Sequence, residues 1–210
     1  MKGQNVLSAE CIKSQLIDFL MTDFSSDLFI GNEVMYGTKR KLVDLLILNK
    51  NQLTAIEIKA DNDDMRRMQE QVNESRKIFD YIIVCTTIAH LEKTKQLLSK
   101  DIDIGIYVVN EQNIETIRKP KKQRKLDKKE MLFSINSNFL RKKLSLSAGN
   151  INSDEVRQHY IKKSMSNIHN LFIDYLQKKI QSKFNLFLLN RGEFTHIDDI
   201  PLLSSSLYIQ

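Results

Sequence analysis

The sequence predicts an α/β protein, a mixed sheet flanked by helices with a mainly helical C-terminal extension. Three observations point there. Two apolar runs meet at a short polar connector, Asn49 to Gln52, as a hairpin would. Strand-like and helix-like segments then alternate to Val109, the pattern of a right-handed parallel crossover. Beyond a basic segment the periodicity is helical almost throughout. The expected divisions are a core over 1–117, a basic connector over 118–130 and a helical region over 131–210.

Composition sets the class. The chain has 210 residues, enough for one substantial core, and its 41% hydrophobic content is that of a globular protein. With 2 Pro and 6 Gly, no long flexible linker is announced. The formal charge of +6 favours a polyanionic partner mildly. Cys11 and Cys85 sit in apolar contexts without metal-ligand spacing, as free thiols do in a reducing compartment. No run approaches a membrane span and the first residues lack an apolar leader, so a soluble cytoplasmic protein is expected.

Ser8 to Phe24 reads as a helix with Ser8 as N-cap and Ile12, Leu16 and Phe19 or Leu20 at helical spacing. Glu10, in its first turn, either favours the helix dipole or reaches a site beside the sheet. Phe29 to Tyr36 reads as an edge strand. Its Glu33 either guards an open edge or approaches the next strand. A polar turn follows, with the basic run Lys39, Arg40 and Lys41.

Leu42 to Lys59 is the hairpin. A two-residue loop at Lys50 and Asn51 puts Asn49 opposite Gln52 and therefore Asp44 opposite Glu57. Glu57 shares a face with Leu53, Ala55 and Lys59. Two facing carboxylates repel and are costly to bury; a divalent cation between them removes both objections. Asp44, Glu57 and the Ile58 carbonyl are hard oxygen ligands that suit Mg²⁺ or Mn²⁺, and Lys59 would stand beside them to orient a metal-bound water.

Asp61 to Phe79 shows an amphipathic pattern in Met65, Met68, Val72 and Phe79. Arg67 and Gln71, four apart on its flank, can reach back to the strand end. Asp80 to Thr86 reads as a buried strand, Leu91 to Leu98 as a helix and Ile102 to Val109 as a strand. Arg118 to Lys129 has eight basic residues in twelve, including Lys121, Lys122, Arg124 and Lys125. It is either a solubilising linker or a phosphate-backbone contact, and no aromatic residue interleaves it for base stacking. Lys128 to Leu144 reads as a helix. A long helical pattern follows from Asp154, with Asn152 and Glu155 at capping-box spacing and a break placed near Ser166 to Asn170. The tail from Asn185 reads as small packed elements, and His159, His169 and His196 have no ligand spacing.

These residues resemble the PD-(D/E)xK nuclease superfamily. Asp44 takes the place of the acid that begins the second core strand, and Glu57-Ile58-Lys59 takes that of E-x-K in the third. Val43 stands where the motif's proline would be. The chain is similar, over residues 8–110, to a family of bacterial and phage mobile-element proteins. The likeness rests on Arg40 with Val43-Asp44-Leu45-Leu46, on Glu57-Ile58-Lys59, on Asp63 or Asp64 with Arg67 and Gln71, and on Phe79-Asp80-Tyr81. The resemblance implies a restriction-endonuclease-like fold and Mg²⁺- or Mn²⁺-dependent cleavage of DNA. Asp44, Glu57, Lys59 and Gln71 would be catalytic, and Asp44, Glu57, Ile58, Glu33 and Glu10 would surround the metal. Lys39, Arg40, Lys41, Arg67, Lys121, Lys122, Arg124 and Lys125 would contact nucleic acid. The alternative from another class is a non-catalytic DNA-binding module, or a protein-interaction module using the C-terminal helices, on the same fold.

Overall fold

A computed structural model describes residues 7–23, 27–110, 113–144 and 151–204. It builds one six-stranded sheet whose strands lie side by side in chain order: β1 (Leu28–Tyr36), β2 (Lys41–Asn49), β3 (Gln52–Lys59), β4 (Tyr81–Thr87), β5 (Gly105–Val109) and β6 (Ile114–Arg118). The β1/β2, β2/β3 and β5/β6 pairs are antiparallel, and β3/β4 and β4/β5 are parallel. The crossover from β3 to β4 carries α2 (Met68–Ser75), and that from β4 to β5 carries α3 (Ile88–Leu97).

Both faces of the sheet are covered, because its strands are apolar on both sides. On one face, α1 (Ala9–Asp23) lays Ile12, Leu16 and Ile17 on Leu45, Ile47 and Ile56, all fully buried. Burial of such side chains stabilises by roughly 1.5–3 kcal/mol each. On the other face, Leu46, Leu48, Leu53 and Ala55 meet Met68 and Val72 of α2. The same cluster takes side chains from α4 (Lys128–Ser134), α5 (Ser137–Lys143), α6 (Ser153–Ile161) and α7 (Met165–Asn190). α7 passes the β1 edge: Phe172, Leu176 and Ile180 join this second cluster, whereas Phe184 and Phe187 join the first. Gly31 permits the close approach. A Cβ there would lie 2.8 Å from Val34 Cγ2 and 3.0 Å from Ile180 Cγ2.

The described residues therefore form a mixed α/β architecture with a helical C-terminal extension. Several element boundaries differ from expectation. The helix expected from Asp61 begins only with a 3-10 turn at Met65–Arg67, because Asp63 accepts from the Ala60 N–H and Asp64 from the Arg66 N–H. These side chains bond the local backbone in a turn and delay the helix. Lys128 to Leu144 is two helices, not one; Asn136 caps the second by accepting from the Asn138 N–H. The long C-terminal pattern is interrupted before Met165, where Ser164 caps α7 by accepting from the Asn167 N–H, and not at Ser166 to Asn170. The Asn152–Glu155 capping box is present. Strand β6 was not expected; its side chains are half-buried or exposed at the sheet edge, so no apolar run marks it. The tail over 205–210 lies outside the described residues.

Candidate functional site

The β2–β3 hairpin turns at Lys50 and Asn51, both at positive φ (47° and 60°), the backbone of a two-residue type I′ loop. Its register pairs Asn49 with Gln52 and Leu45 with Ile56, so the next residues along, Asp44 and Glu57, stand across from each other. On the other side, the β1–β2 register flanks Glu33 with Asn32↔Leu45 and Val34↔Val43, which places it across from Asp44. Glu33 itself has φ +50°, and its side chain is 47% exposed.

A cleft of about 600 Å³ opens at this end of the sheet, between α1, the β1–β2 turn and the start of α2. Asp44 Oδ2 accepts from the Ile58 N–H at 2.7 Å. The Glu57 carboxylate is fully buried beneath it. Gln71 Nε2 donates to Glu57 Oε2 at 2.9 Å, and Lys59 Nζ donates to Gln71 Oε1 at 2.8 Å. Ser75 Oγ lies 3.4 Å from Glu57 Oε1 and 2.8 Å from the Tyr36 hydroxyl. Burial, then the neighbouring Asp44 charge, pushes the Glu57 carboxyl up to about 8. Burial also raises Asp44, although the Ile58 N–H draws it back.

The structure brings Asp44, Ile58, Lys59, Arg67 and Gln71 to one cleft, as the sequence implies. Glu10 lines its mouth but is exposed. Glu33 is occupied by Lys13 Nζ at 3.3 Å. Lys13, from α1, is 5% exposed and was not singled out by sequence reasoning; its place beside Ile12, Leu16 and Ile17 on the buried stripe was the available signal. Lys39 pairs with Glu74 at 2.8 Å and Lys41 with Glu70 at 2.9 Å, so α2 neutralises two of the three basic turn residues. The cleft lining balances overall, with Lys13, Arg40, Lys41, Lys59 and Arg67 against Glu10, Glu33, Asp44, Asp63 and Asp64.

The opposite end of the sheet is different. Residues 119–125 leave β6 as an extended strap across the starts of β4 and β5. The Lys121 N–H donates to Asp103 O at 2.8 Å, and the Gln123 N–H to Asp80 O at 2.7 Å. Gln123 is buried, and Pro120 packs where a Cβ on Gly105 would approach its Cδ to 3.0 Å. Lys119, Lys121, Lys122, Arg124 and Lys125 are all exposed. Lys122 lies 3.8 Å from Asp80, and no ion pair engages the other four among the described residues. Asp80, 1% exposed, anchors this end: its Oδ2 accepts from the Leu53 N–H and shares a hydrogen bond with His169 Nε2 of α7, each at 2.9 Å.

Residues 3–204 match the family described as bacteriophage P4 protein cII. The chain belongs to that family. No curated protein matches it. Among solved structures it is similar to the SPO1766 protein of unknown function from Silicibacter pomeroyi, at 14% identity and a TM-score of 0.46 over 91% of this chain and 99% of that one.

Family membership corrects the resemblance read from the sequence: the chain matches the P4 cII family and not a PD-(D/E)xK nuclease family. The side chains correct the metal centre. Among the described residues, no three His, Cys, Asp or Glu are grouped so as to hold a metal ion. Glu57 is buried and tied to Gln71, Glu33 faces Lys13, and Glu10 stays at the surface. The family match and the lack of such a group among the described residues overturn the expected Mg²⁺ or Mn²⁺ cofactor and deoxyribonuclease activity. Among the described residues no helix is long and apolar enough to cross a membrane.

Proposed function

We propose that the protein is a non-catalytic DNA-binding module. The carrying observation is the strap at 119–125, whose cations are exposed and whose backbone is pinned to the sheet. Phosphate contact needs positive charge at a held position, and a held strap loses little conformational freedom on binding. The absence of aromatic residues in the strap favours contact with the backbone over stacking on bases. Arg40 and Arg67 line the cleft at the other end of the sheet, and Lys39 and Lys41 pair with Glu74 and Glu70, so these four stand outside the strap contact. The mixed sheet order supports a restriction-endonuclease-like scaffold in which the Lys59–Gln71–Glu57 chain is a packing element.

Binding of duplex DNA, followed by fluorescence anisotropy, tests this for the parent and for a variant carrying Lys121→Ala, Lys122→Ala, Arg124→Ala and Lys125→Ala. The parent should bind, and the variant should lose roughly 10²-fold in affinity at moderate salt. Equal affinities would remove the strap from the account. A second reading, contact with a protein partner through the C-terminal helices, is favoured by the exposed Leu188, Leu189, Phe194 and Ile197 at the end of α7 and just beyond it.

A further inference from the structure

A second cavity, of about 270 Å³, lies between the β1–β2 turn, the corner joining α4 to α5, and the middle of α7. Arg40 reaches it from the turn, Arg157 from α6 and Lys179 from α7; Tyr175, Asn136 and Ser137 add polar atoms. No carboxylate lines it among the described residues. Two acids stand nearby: one is held by the β1–β2 turn, and the other makes a long, exposed ion pair with Arg157. Glu130 accepts from the Thr38 N–H and hydroxyl at 2.7 and 2.9 Å, and Asp154, 83% exposed, lies 3.8 Å from Arg157.

The three cations are not equivalent. Arg157 is braced by the Leu132, Ile135 and Ser153 carbonyls and lies 4.6 Å over the Phe133 ring, so it is a fixed wall. Lys179 and Arg40 have no hydrogen-bond or ion-pair partner for their charged ends among the described residues. Lys179 is half-buried as well, and burial, followed by the Lys183 and Arg40 charges, lowers its affinity for a proton. A half-buried ammonium close to the Arg40 and Lys183 charges is costly for the folded chain. A bound anion would offset that cost, and its oxygens would find donors of both kinds: a point charge from Lys179 and planar forks from the arginines.

We infer that this cavity is a phosphate-binding site in which Lys179 and Arg40 hold the phosphate oxygens against the wall formed by Arg157. The ligand carries a phosphate group, either as a free phosphate monoester or as one phosphodiester of a nucleic acid. The site is separate from the strap and does not depend on it.

Thermal unfolding tests it with inorganic phosphate, a deoxynucleoside monophosphate, and potassium chloride at matched ionic strength. Phosphate should raise the Tm of the parent beyond the chloride control, since a ligand that binds only the folded state stabilises it. Lys179→Met should lose that increment, with affinity falling roughly tenfold or more. Without ligand, it should unfold at or above the parent's Tm, because it removes a desolvated charge; a merely structural lysine would give the opposite. Lys179→Arg should keep the increment. Should Lys179→Met fail to fold, Arg40→Ala on the exposed turn carries the same comparison.

Duplex DNA separates the two sources. DNA affinity unchanged in Lys179→Met, together with a phosphate or nucleotide increment, assigns a free monoester. Weaker DNA binding with a salt slope shallower by about one assigns a backbone phosphate. No phosphate-specific increment in the parent, with DNA affinity unchanged in the variant, overturns the inference whatever the strap variants do.

Discussion

Both ends of the sheet carry clusters of charged residues and treat them in opposite ways. At the Lys59 end, five basic and five acidic side chains line one cleft, and most of them have a partner in the cleft or on the elements around it. At the Asp80 end, a single buried carboxylate is used up by the Leu53 N–H and His169, and the cations of the strap face outward. The first arrangement spends its charge on internal bonds; the second leaves charge for a partner. A motif made of conspicuous residues can thus be internally satisfied, while a plain run of lysines is chemically open.

The comparison would break most visibly through charge reversal on the strap. Lys121→Glu, Lys122→Glu and Arg124→Glu together should reduce duplex DNA affinity by roughly 10³-fold or more, since each change both removes a phosphate contact and adds repulsion. Electrophoretic mobility shifts at fixed salt would measure it. The same substitutions should leave thermal stability nearly unchanged, because their side chains are exposed.

Next in size is the pH dependence of the Glu57 end. Its carboxyl is raised from 4.5 to about 8 by burial, so the folded chain holds a proton that the unfolded chain releases. The stabilisation is fully present below the unfolded value and is lost as pH rises through about 8. Glu57→Gln should flatten that decline and raise Tm by several degrees above pH 8, at about 2–4 °C per kcal/mol for a domain of this size. Calorimetry from about pH 4 to pH 9 checks it, since the decline falls between the unfolded value of 4.5 and about 8, and an unaltered pH profile would mean that Glu57 ionises freely in the fold.

Packing gives a smaller effect. Gly31→Ala forces a Cβ against Val34 and Ile180 and should cost about 1–3 kcal/mol in denaturant unfolding, by pushing α7 off β1. Smallest of all, Lys59→Ala should change DNA affinity by less than about twofold, because its ammonium is buried and donates to Gln71 within the cleft, at the far end of the sheet from the strap.

The hairpin was legible in the sequence because its alternation and its Lys50–Asn51 turn admit one register, and that register put Asp44 across from Glu57. The two parallel crossovers were legible from apolar runs separated by helical spacing. β6 was not, since an edge strand of five residues with three exposed side chains carries no apolar signature. The breaks within the C-terminal helices turn on two capping residues, Asn136 and Ser164, each unremarkable among other polar residues. At the site, residue identity and spacing were visible, but their use was not. Whether Glu57 points at a cation or is closed over by Gln71 and Ser75 depends on how α2 seats on β3. Lys13 and Lys179 contribute from helices far from the hairpin in the chain; Lys13 is marked only by its place on a buried stripe, and nothing local marks Lys179.

The central claim is DNA contact through the strap without metal chemistry. Its most direct test is the salt dependence of duplex DNA binding, measured in EDTA for the parent and for the variant with four strap alanines. The account predicts metal-independent binding by the parent and a log–log salt slope shallower by about 3 to 4 in the variant. Identical slopes, or binding that appears only when Mg²⁺ is added and ends in cleaved DNA, would contradict it.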